Sequence, residues 1–329
     1  MINNSVLAIE EVGTYLTKSG NRLIVNNKGK KSEYSADTIR QVLFTAPASI
    51  STEAVKLAIE KHIDIVYLDW KGKPFARTYS PYMGGTTLTR RKQLEAYLSK
   101  KGKHLIVKFV EGKIRSQINY LKSLSKDRKT NTQLNQLSKT KFPKSKLITS
   151  NPIDKLRSTL LGVEGATAAK YFRGLGLITG FTKRNKNGED MFNVCLNYAY
   201  GMLYSEVERA CIIAGLDPYL GFYHTDRYGK PSLVLDVTEL FRVAISDRAI
   251  VTLFNRKQIN GKDFDKTGDL TLSQKGKRKL IQAVINRLNT KLTYKGKKLI
   301  LRDIILAQTR EISAYLLGNK RDFSPYIYK

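Results

Sequence analysis

IDIVYLDWKGKPFARTY, from Ile63 to Tyr79, consists of two β-branched and aromatic runs around an Asp-Trp-Lys-Gly-Lys centre. Runs of that composition read as strands, and the Gly and Lys between them predict a hairpin turn within Asp69–Phe75. Working backwards, GTYLTKSGNRLIV (Gly13–Val25) has the same short, punctuated character. One helix interrupts these strands: Ser51 is a good N-cap, and Ala54, Leu57, Ala58 and the stem of Lys61 fall at helical spacing. The first 85 residues therefore predict a small β-rich domain, with no group of residues in it that suggests chemistry.

Working forwards from Thr89, the composition changes. Seventeen Lys or Arg lie between Arg90 and Lys146, against three acids. RRKQLEAYLSKKGKHLIVKFVEGKIRSQINYLKSL (Arg90–Leu124) carries apolar residues at helical spacing and predicts one or two helices with one dry face. SKDRKTNTQLNQLSKTKFPKSK (Ser125–Lys146) is polar and basic, and predicts a mobile connection or a tip. From Asn151 onward the pattern is helical almost throughout, with Pro152 in a first turn after Ser150 or Asn151 as cap. DMFNVCLNYAYGMLYSEVERACIIAGL (Asp190–Leu216) is a long helix stopped by Gly215 and Pro218; TLSQKGKRKLIQAVINRLNTKLTY (Thr271–Tyr294) and LILRDIILAQTREISAYLLGN (Leu299–Asn319) are two more. The fold class expected is α+β in two domains, 1–85 β-rich and 86–329 all-helical.

Charge narrows the function. The chain of 329 residues has 58 Lys and Arg against 28 Asp and Glu, a formal charge of +30. Such an excess repels itself unless a polyanion neutralises it, and nucleic acid is the commonest partner of that kind. A membrane is the rival polyanion, but no run approaches the ~18 apolar residues of a span, and MINNSVLAIEEVG lacks the basic and apolar regions of a leader. A cytoplasmic protein without membrane contact is expected. The two cysteines, Cys195 and Cys211, lie in apolar helical patterns and read as buried thiols rather than a disulfide or zinc site.

In so basic a chain, acids on packed faces call for a reason. Glu164 stands among small residues (Gly165, Ala166, Ala168, Ala169), so other backbone can approach this helix closely. In HTDRYGKPSLVLDVTELFR (His224–Arg242), a helix beginning at Pro231 or Ser232 presents Leu233, Val234, Val237, Leu240, Phe241 and Ala244 as a broad apolar stripe. Asp236 and Glu239 are three residues apart and therefore neighbours, an unfavourable pair in low dielectric unless a cation lies near. Arg242, three residues further, would complete an Asp–Glu–Arg ladder. The alternative is a divalent metal: carboxylate oxygens with one imidazole, His224, suit Mg²⁺ or Mn²⁺.

Three motifs carry a resemblance. LLGVEGATAAKYF (Leu160–Phe172), NVCLNYAYGMLYSEVERACIIAGLDPYLGFYH (Asn193–His224) and GKPSLVLDVTELFR (Gly229–Arg242) resemble, in order and spacing, the CRISPR-associated integrase/endonuclease family, Cas1. ISTEAVKLAIEKHIDIVYLDWKGKPFARTY, RKQLEAY and GKIRSQINYL extend the likeness over nearly the whole chain. The resemblance implies a β-rich domain that pairs protomers into homodimers and a helical catalytic domain. It implies a metal site of Glu164, His224 and Glu239, with Asp236 as an additional catalytic acid. The family commonly has Asp at the position of Glu239, so the division of labour between Asp236 and Glu239 stays open. Asn193, Tyr198 and Tyr200 fall where site-lining residues are expected, and Tyr171, Lys230 and Arg242 where DNA contacts are.

The implied chemistry is metal-dependent phosphodiester exchange on double-stranded DNA. A fragment's 3′-hydroxyl attacks a backbone phosphate of a CRISPR array, in concert with the small Cas2 protein, as spacer acquisition in prokaryotic immunity. Water in place of the hydroxyl would give nuclease activity. A transposon integrase and a non-catalytic basic nucleic-acid-binding protein are the alternatives.

Overall fold

Residues up to Tyr79 build two sheets around one helix. The computed structural model describes residues 2–3, 6–80, 86–126, 132–139, 153–185, 187–188, 190–225, 227–265 and 268–329. Strands β1 (Ile2–Asn3), β2 (Val6–Ile9), β6 (Gln41–Phe44), β8 (Asp64–Leu68) and β9 (Pro74–Thr78) form one sheet in that order. Strands β5 (Lys30–Ser35), β4 (Arg22–Asn27), β3 (Thr14–Ser19) and β7 (Ala48–Ile50) form the other. Helix α1 (Thr52–Glu60) is capped by Ser51, whose hydroxyl accepts from Ala54 N at 3.2 Å. The expected hairpin joins β8 to β9, with Gly72 at φ +79° in its turn.

The central strands of the first sheet, β2, β6 and β8, are buried on both faces. Leu7, Val42, Phe44 and Ile65 point into a core shared with Leu16, Leu23, Ala54 and Leu57. The alternate residues Val6, Leu43, Val66 and Leu68 belong instead to the large core of the helical part. That explains why these strands are near-continuous apolar runs rather than alternating ones. A buried ionic anchor fixes the junction: Arg77 of β9 pairs with Asp64, with Glu208 at 3.2 Å, and donates to Ser205 Oγ at 2.9 Å. Gly201 lets the hairpin turn sit directly on its helix, since a Cβ there would lie 2.0 Å from Gly72 O.

The helical part comprises α2 (Thr86–Ala96), α3 (Lys100–Lys126), α4 (Thr132–Ser138), α5 (Ile153–Thr179), α6 (Met191–Ile213), α7 (Ser232–Thr238), α8 (Arg248–Asn255), α9 (Gln274–Leu288) and α10 (Leu301–Leu317). The long helix α6 is capped by Asp190, whose carboxylate accepts from Asn193 N, and ends before Gly215 at φ +76°. Cys195 and Cys211 are buried free thiols on it, as expected. The C-terminal tail lies along α3, with Tyr328 N donating to Ser116 Oγ at 3.0 Å and Asn119 donating to Tyr328 O at 2.7 Å.

Four expectations need correction. The stripe helix from Ser232 to Ala244 is not continuous: α7 ends at Thr238 and tight i→i+3 turns follow, Leu240 N on Val237 O and Phe241 N on Thr238 O. A π-helical turn, Val243–Asp247, then leads into α8, with Asp247 N reaching back five residues to Arg242 O. Within Ser125–Lys146, α4 is ordered helix because Leu134 is fully buried in the core; the rest, from Asp127 to Asn131 and from Thr140 on, lies outside the described residues, as do Ser150, Asn151 and Pro152. In Thr271–Tyr294, Thr271–Leu272 is strand β11, paired antiparallel with β10 (Phe264–Asp265), and the helix read there runs only from Gln274 to Leu288. Beyond it, β12 (Lys291–Tyr294) pairs with β13 (Lys297–Ile300) around Lys295 and Gly296, both at positive φ. Finally, among the described residues no backbone closes on the small residues around Glu164: Gly162 and Gly165 face open space, and Ala166 and Ala169 are exposed with them.

Candidate active site

Three helical elements and one loop bring the chemistry-bearing residues together. Helix α5 carries Glu164, α7 and the turn after it carry Asp236, Glu239 and Arg242, and α3 carries Lys113. Gly112 permits the approach of α3, because a Cβ there would lie 2.4 Å from Leu240 Cδ2. The loop bearing His224 is fixed from two sides. Gln93 donates to Asp217 O and Leu220 O and accepts from Asp217 N, at 2.7–3.0 Å. Buried Arg157 of α5 donates from Nε to Phe222 O at 3.0 Å and reaches Tyr97 OH at 2.9 Å.

Asp236 is fully buried, and both its oxygens are committed. Oδ2 accepts from Phe222 N at 2.7 Å and Tyr223 N at 2.9 Å; Oδ1 accepts from His224 N at 2.9 Å and stands 2.7 Å from His224 Nδ1. The sequence left open which acid of the pair could face an ion. Asp236 instead holds the loop and the ring, and with Nδ1 as the donor, Nε2 keeps its lone pair on the ring's other edge.

Glu239 is the acid that turns outward to its partners. Its Oε2 lies 2.7 Å from Lys113 Nζ and its Oε1 lies 3.1 Å from Arg242 Nη1. Burial would raise this carboxyl, but Arg242, then Lys113 and His224, outweigh it and hold it well below the usual carboxylate range. The same Lys113 ammonium contacts Glu164 Oε1, and Tyr223 OH donates to Glu164 Oε2. Burial disfavours a charged Lys113, yet Glu239 and Glu164 more than compensate and raise it above its ordinary value. So Glu164 and Glu239, from different helices, converge on one cation. Of the Asp–Glu–Arg ladder only the Glu239–Arg242 rung forms.

Arg242 leads away from this centre into the core. Its guanidinium lies 4.5 Å from the Tyr200 ring centroid, and Nη2 donates to Tyr204 OH at 2.8 Å. Tyr200 donates to Asp247 Oδ1 at 2.7 Å and Tyr171 to Oδ2 at 2.8 Å. Burial lifts the Asp247 carboxyl above its usual range, against the two tyrosines and Arg242.

Several expected positions are therefore corrected. Tyr171 is fully buried on Asp247 and cannot touch a duplex. Arg242 is engaged by Glu239 and two tyrosines rather than presented to phosphate. Asn193 does not line the centre: it ties the Lys183–Asp190 loop through Lys183 O, Asn185 N and Asp190. Tyr198 packs beneath Gly72, with Trp70 and Lys71 nearby, at the junction with the sheets. Tyr200 does back the centre, through Arg242. Lys230 lines a surface groove with Tyr219 and Tyr228. The residues not anticipated are Lys113, Tyr223, Arg157 and Asp247. For Lys113 a signal existed: with Ile106, Phe109, Val110 and Gln117 it occupies the i, i+3, i+4, i+7 stripe of α3 that points inward.

The two-part fold is shared with a casposase solved bound to its integration product: TM-score 0.82, 26% identity, covering 97% of this chain and 92% of that one. A Cas6-RT-Cas1–Cas2 complex shares it over 99% of this chain and 36% of that one, with TM-score 0.74 and 21% identity. The chain belongs to the CRISPR associated protein Cas1 family, whose family model matches residues 7–286. Among curated relatives, the CRISPR-associated endonuclease Cas1 1 of Archaeoglobus fulgidus is 33% identical over 336 residues, 96% of this chain and 97% of that protein. Among the described residues, no helix is long and apolar enough to cross a membrane.

Proposed function

We propose that the chain is a metal-dependent DNA integrase and endonuclease that joins short duplex fragments to a CRISPR array. The observation that carries this reading is the convergence of Glu164 and Glu239 on a single cation beside an imidazole oriented by Asp236. As they stand, no three His, Cys, Asp or Glu side chains among the described residues are grouped closely enough to hold a metal. The donor set nevertheless fits a hard divalent ion: two carboxylates, each with one oxygen on a protein donor and the other on a cation, and one imidazole nitrogen. Glu164, Glu239 and His224 would hold Mg²⁺ or Mn²⁺, which when bound would neutralise charge developing on the phosphate.

The protein's own groups do the positioning. Asp236 fixes the imidazole, Arg242 and Tyr223 each hold one oxygen of a carboxylate, and Arg157 and Gln93 hold the loop. The open side of α5, where Gly162, Gly165, Ala166 and Ala169 are followed by exposed Lys170 and Arg173, leaves room for a duplex backbone beside Glu164. In the reaction a 3′-oxygen forms a new bond to phosphorus as the existing bond to another 3′-oxygen breaks. The attacking hydroxyl loses its proton, and the released oxygen gains one. Attack by water instead gives cleavage.

Assembly into homodimers through the β-rich part is supported by exposed Val12, Trp70 and Phe75, which line one surface groove. Cas2 is the partner suggested by the Cas1–Cas2 neighbour, and the cytoplasm the expected compartment. The test is strand transfer of a short duplex into a supercoiled plasmid with Mg²⁺ or Mn²⁺, with and without Cas2. Glu164→Ala, His224→Ala and Glu239→Ala should each abolish transfer while DNA binding persists. Normal transfer by folded His224→Ala protein would overturn the assignment, and activity indifferent to EDTA would favour a non-catalytic role. The casposase likeness keeps a transposon-type integrase as a second reading, favoured if fragments with terminal-repeat ends are joined in preference to others.

A further inference from the structure

Lys113 has no part in the readings above beyond its charge, yet it stands where the site is most demanding. It is a lysine on the inward stripe of α3, with only 10% of its side chain exposed, and its ammonium touches one oxygen of Glu164 and one of Glu239. The other two oxygens are held by Tyr223 and Arg242. Glu239 Oε2 has Lys113 2.7 Å away but no hydrogen bond of good geometry, so electrostatic attraction is what satisfies it. The two oxygens an incoming metal would need are thus the ones now on the ammonium.

We propose that Lys113 is a resident counter-cation that a divalent metal must displace, so that this side chain sets the metal affinity of the site. The inference rests on the metal-dependent reading above. An ammonium and a dication cannot share the same pair of carboxylate oxygens: their charges repel, and Mg²⁺ draws its oxygens to ~2.1 Å, closer than an ammonium does. The flexible four-carbon stem of lysine allows withdrawal without moving α3. In the absence of metal the lysine keeps buried Glu239 and half-buried Glu164 from repelling each other, and it holds both at the positions where they will be used. Removing it abolishes the closed form that competes with binding, so apparent affinity should rise.

The test measures Mn²⁺ binding by the electron paramagnetic resonance signal of free Mn²⁺, on the full chain and on Lys113→Met and Lys113→Arg. Lys113→Met should bind Mn²⁺ at least about tenfold more tightly, as expected when a competing closed state is removed, and Lys113→Arg should not. In parallel, acetylation of wild-type lysines read by mass spectrometry needs no variant to fold. Lys113 should label slowly without metal and several-fold faster with saturating Mg²⁺. If the wild type binds Mn²⁺ and Lys113→Met binds it equally or less tightly, or if Mg²⁺ leaves Lys113 labelling unchanged, the inference is wrong and the metal reading stands. If neither the wild type nor Lys113→Met binds Mn²⁺, the metal reading itself fails.

Discussion

His224 Nδ1 lies 2.7 Å from Asp236 Oδ1, and that buried carboxylate also receives the backbone N–H groups of Phe222, Tyr223 and His224 itself. One side chain therefore fixes both the path of the loop and the orientation of the ring. Asp236→Asn keeps the shape but turns one acceptor into a donor facing other donors. Groups that orient a metal-binding histidine typically matter about 10–100-fold, so strand transfer should fall by that factor. Thermal denaturation should also show a loss of about 1–3 kcal/mol, the cost of a buried group left unsatisfied. Unchanged activity would mean His224 needs no orienting.

Tyr171 supplies a contrasting case. Because its hydroxyl serves Asp247 in the core, Tyr171→Phe should lower stability by about 1–3 kcal/mol. DNA affinity by fluorescence anisotropy should not change, since the ring is fully buried. A selective loss of DNA binding at unchanged stability would restore the residue to the surface role first expected of it.

Lys170 and Arg173 are exposed on the open side of α5, one turn beyond Ala166 and Ala169. If this face receives phosphates, Lys170→Ala should weaken binding equally for unrelated duplexes and reduce the slope of log K against log salt by about 1. Arg173→Ala should do the same. Sequence-dependent losses would point to base contacts instead.

Asp263 gives the pH dependence. Burial would raise its carboxyl, but Lys279, at 2.7 Å, and the Asn260 backbone hold it below the usual carboxylate range. A depressed folded-state value contributes stability that is complete above the ordinary pKa of about 4 and fades as pH falls below it. Asp263→Asn should therefore be less stable than wild type by about 1 kcal/mol at pH 7, and the difference should shrink towards pH 3 in urea denaturation. A constant difference would show that geometry, not charge, is what Asp263 provides.

Much of this was legible in the sequence, for identifiable reasons. The Ser51 cap, the β8–β9 turn and the end of α6 at Gly215 are local events governed by neighbours in the chain, and all formed where the sequence indicated. The pairing of Glu164 with Glu239 was legible only through the resemblance to the Cas1 family, which implies both for one site; residue pattern alone left Glu164 open to a solvated reading. The break of the α7 helix was not, because the same apolar residues are buried whether the chain runs straight or tightens and then widens into a π-turn. The β12–β13 hairpin follows the helical stretch so closely that its Lys-Gly turn, with both residues at positive φ, was absorbed into the helix. Lys113 was missed because seventeen bases in that region made any one of them look like solvated surface. Only the inward stripe of α3 distinguishes it from the rest.

The most direct measurement is the anomalous difference map of crystals soaked in Mn²⁺. The account predicts one peak between the carboxylates of Glu164 and Glu239, with His224 Nε2 in its coordination sphere, Asp236 outside it and Lys113 withdrawn. A strand-transfer-competent protein whose soaked crystals show no peak there, or show it at other residues, would contradict it.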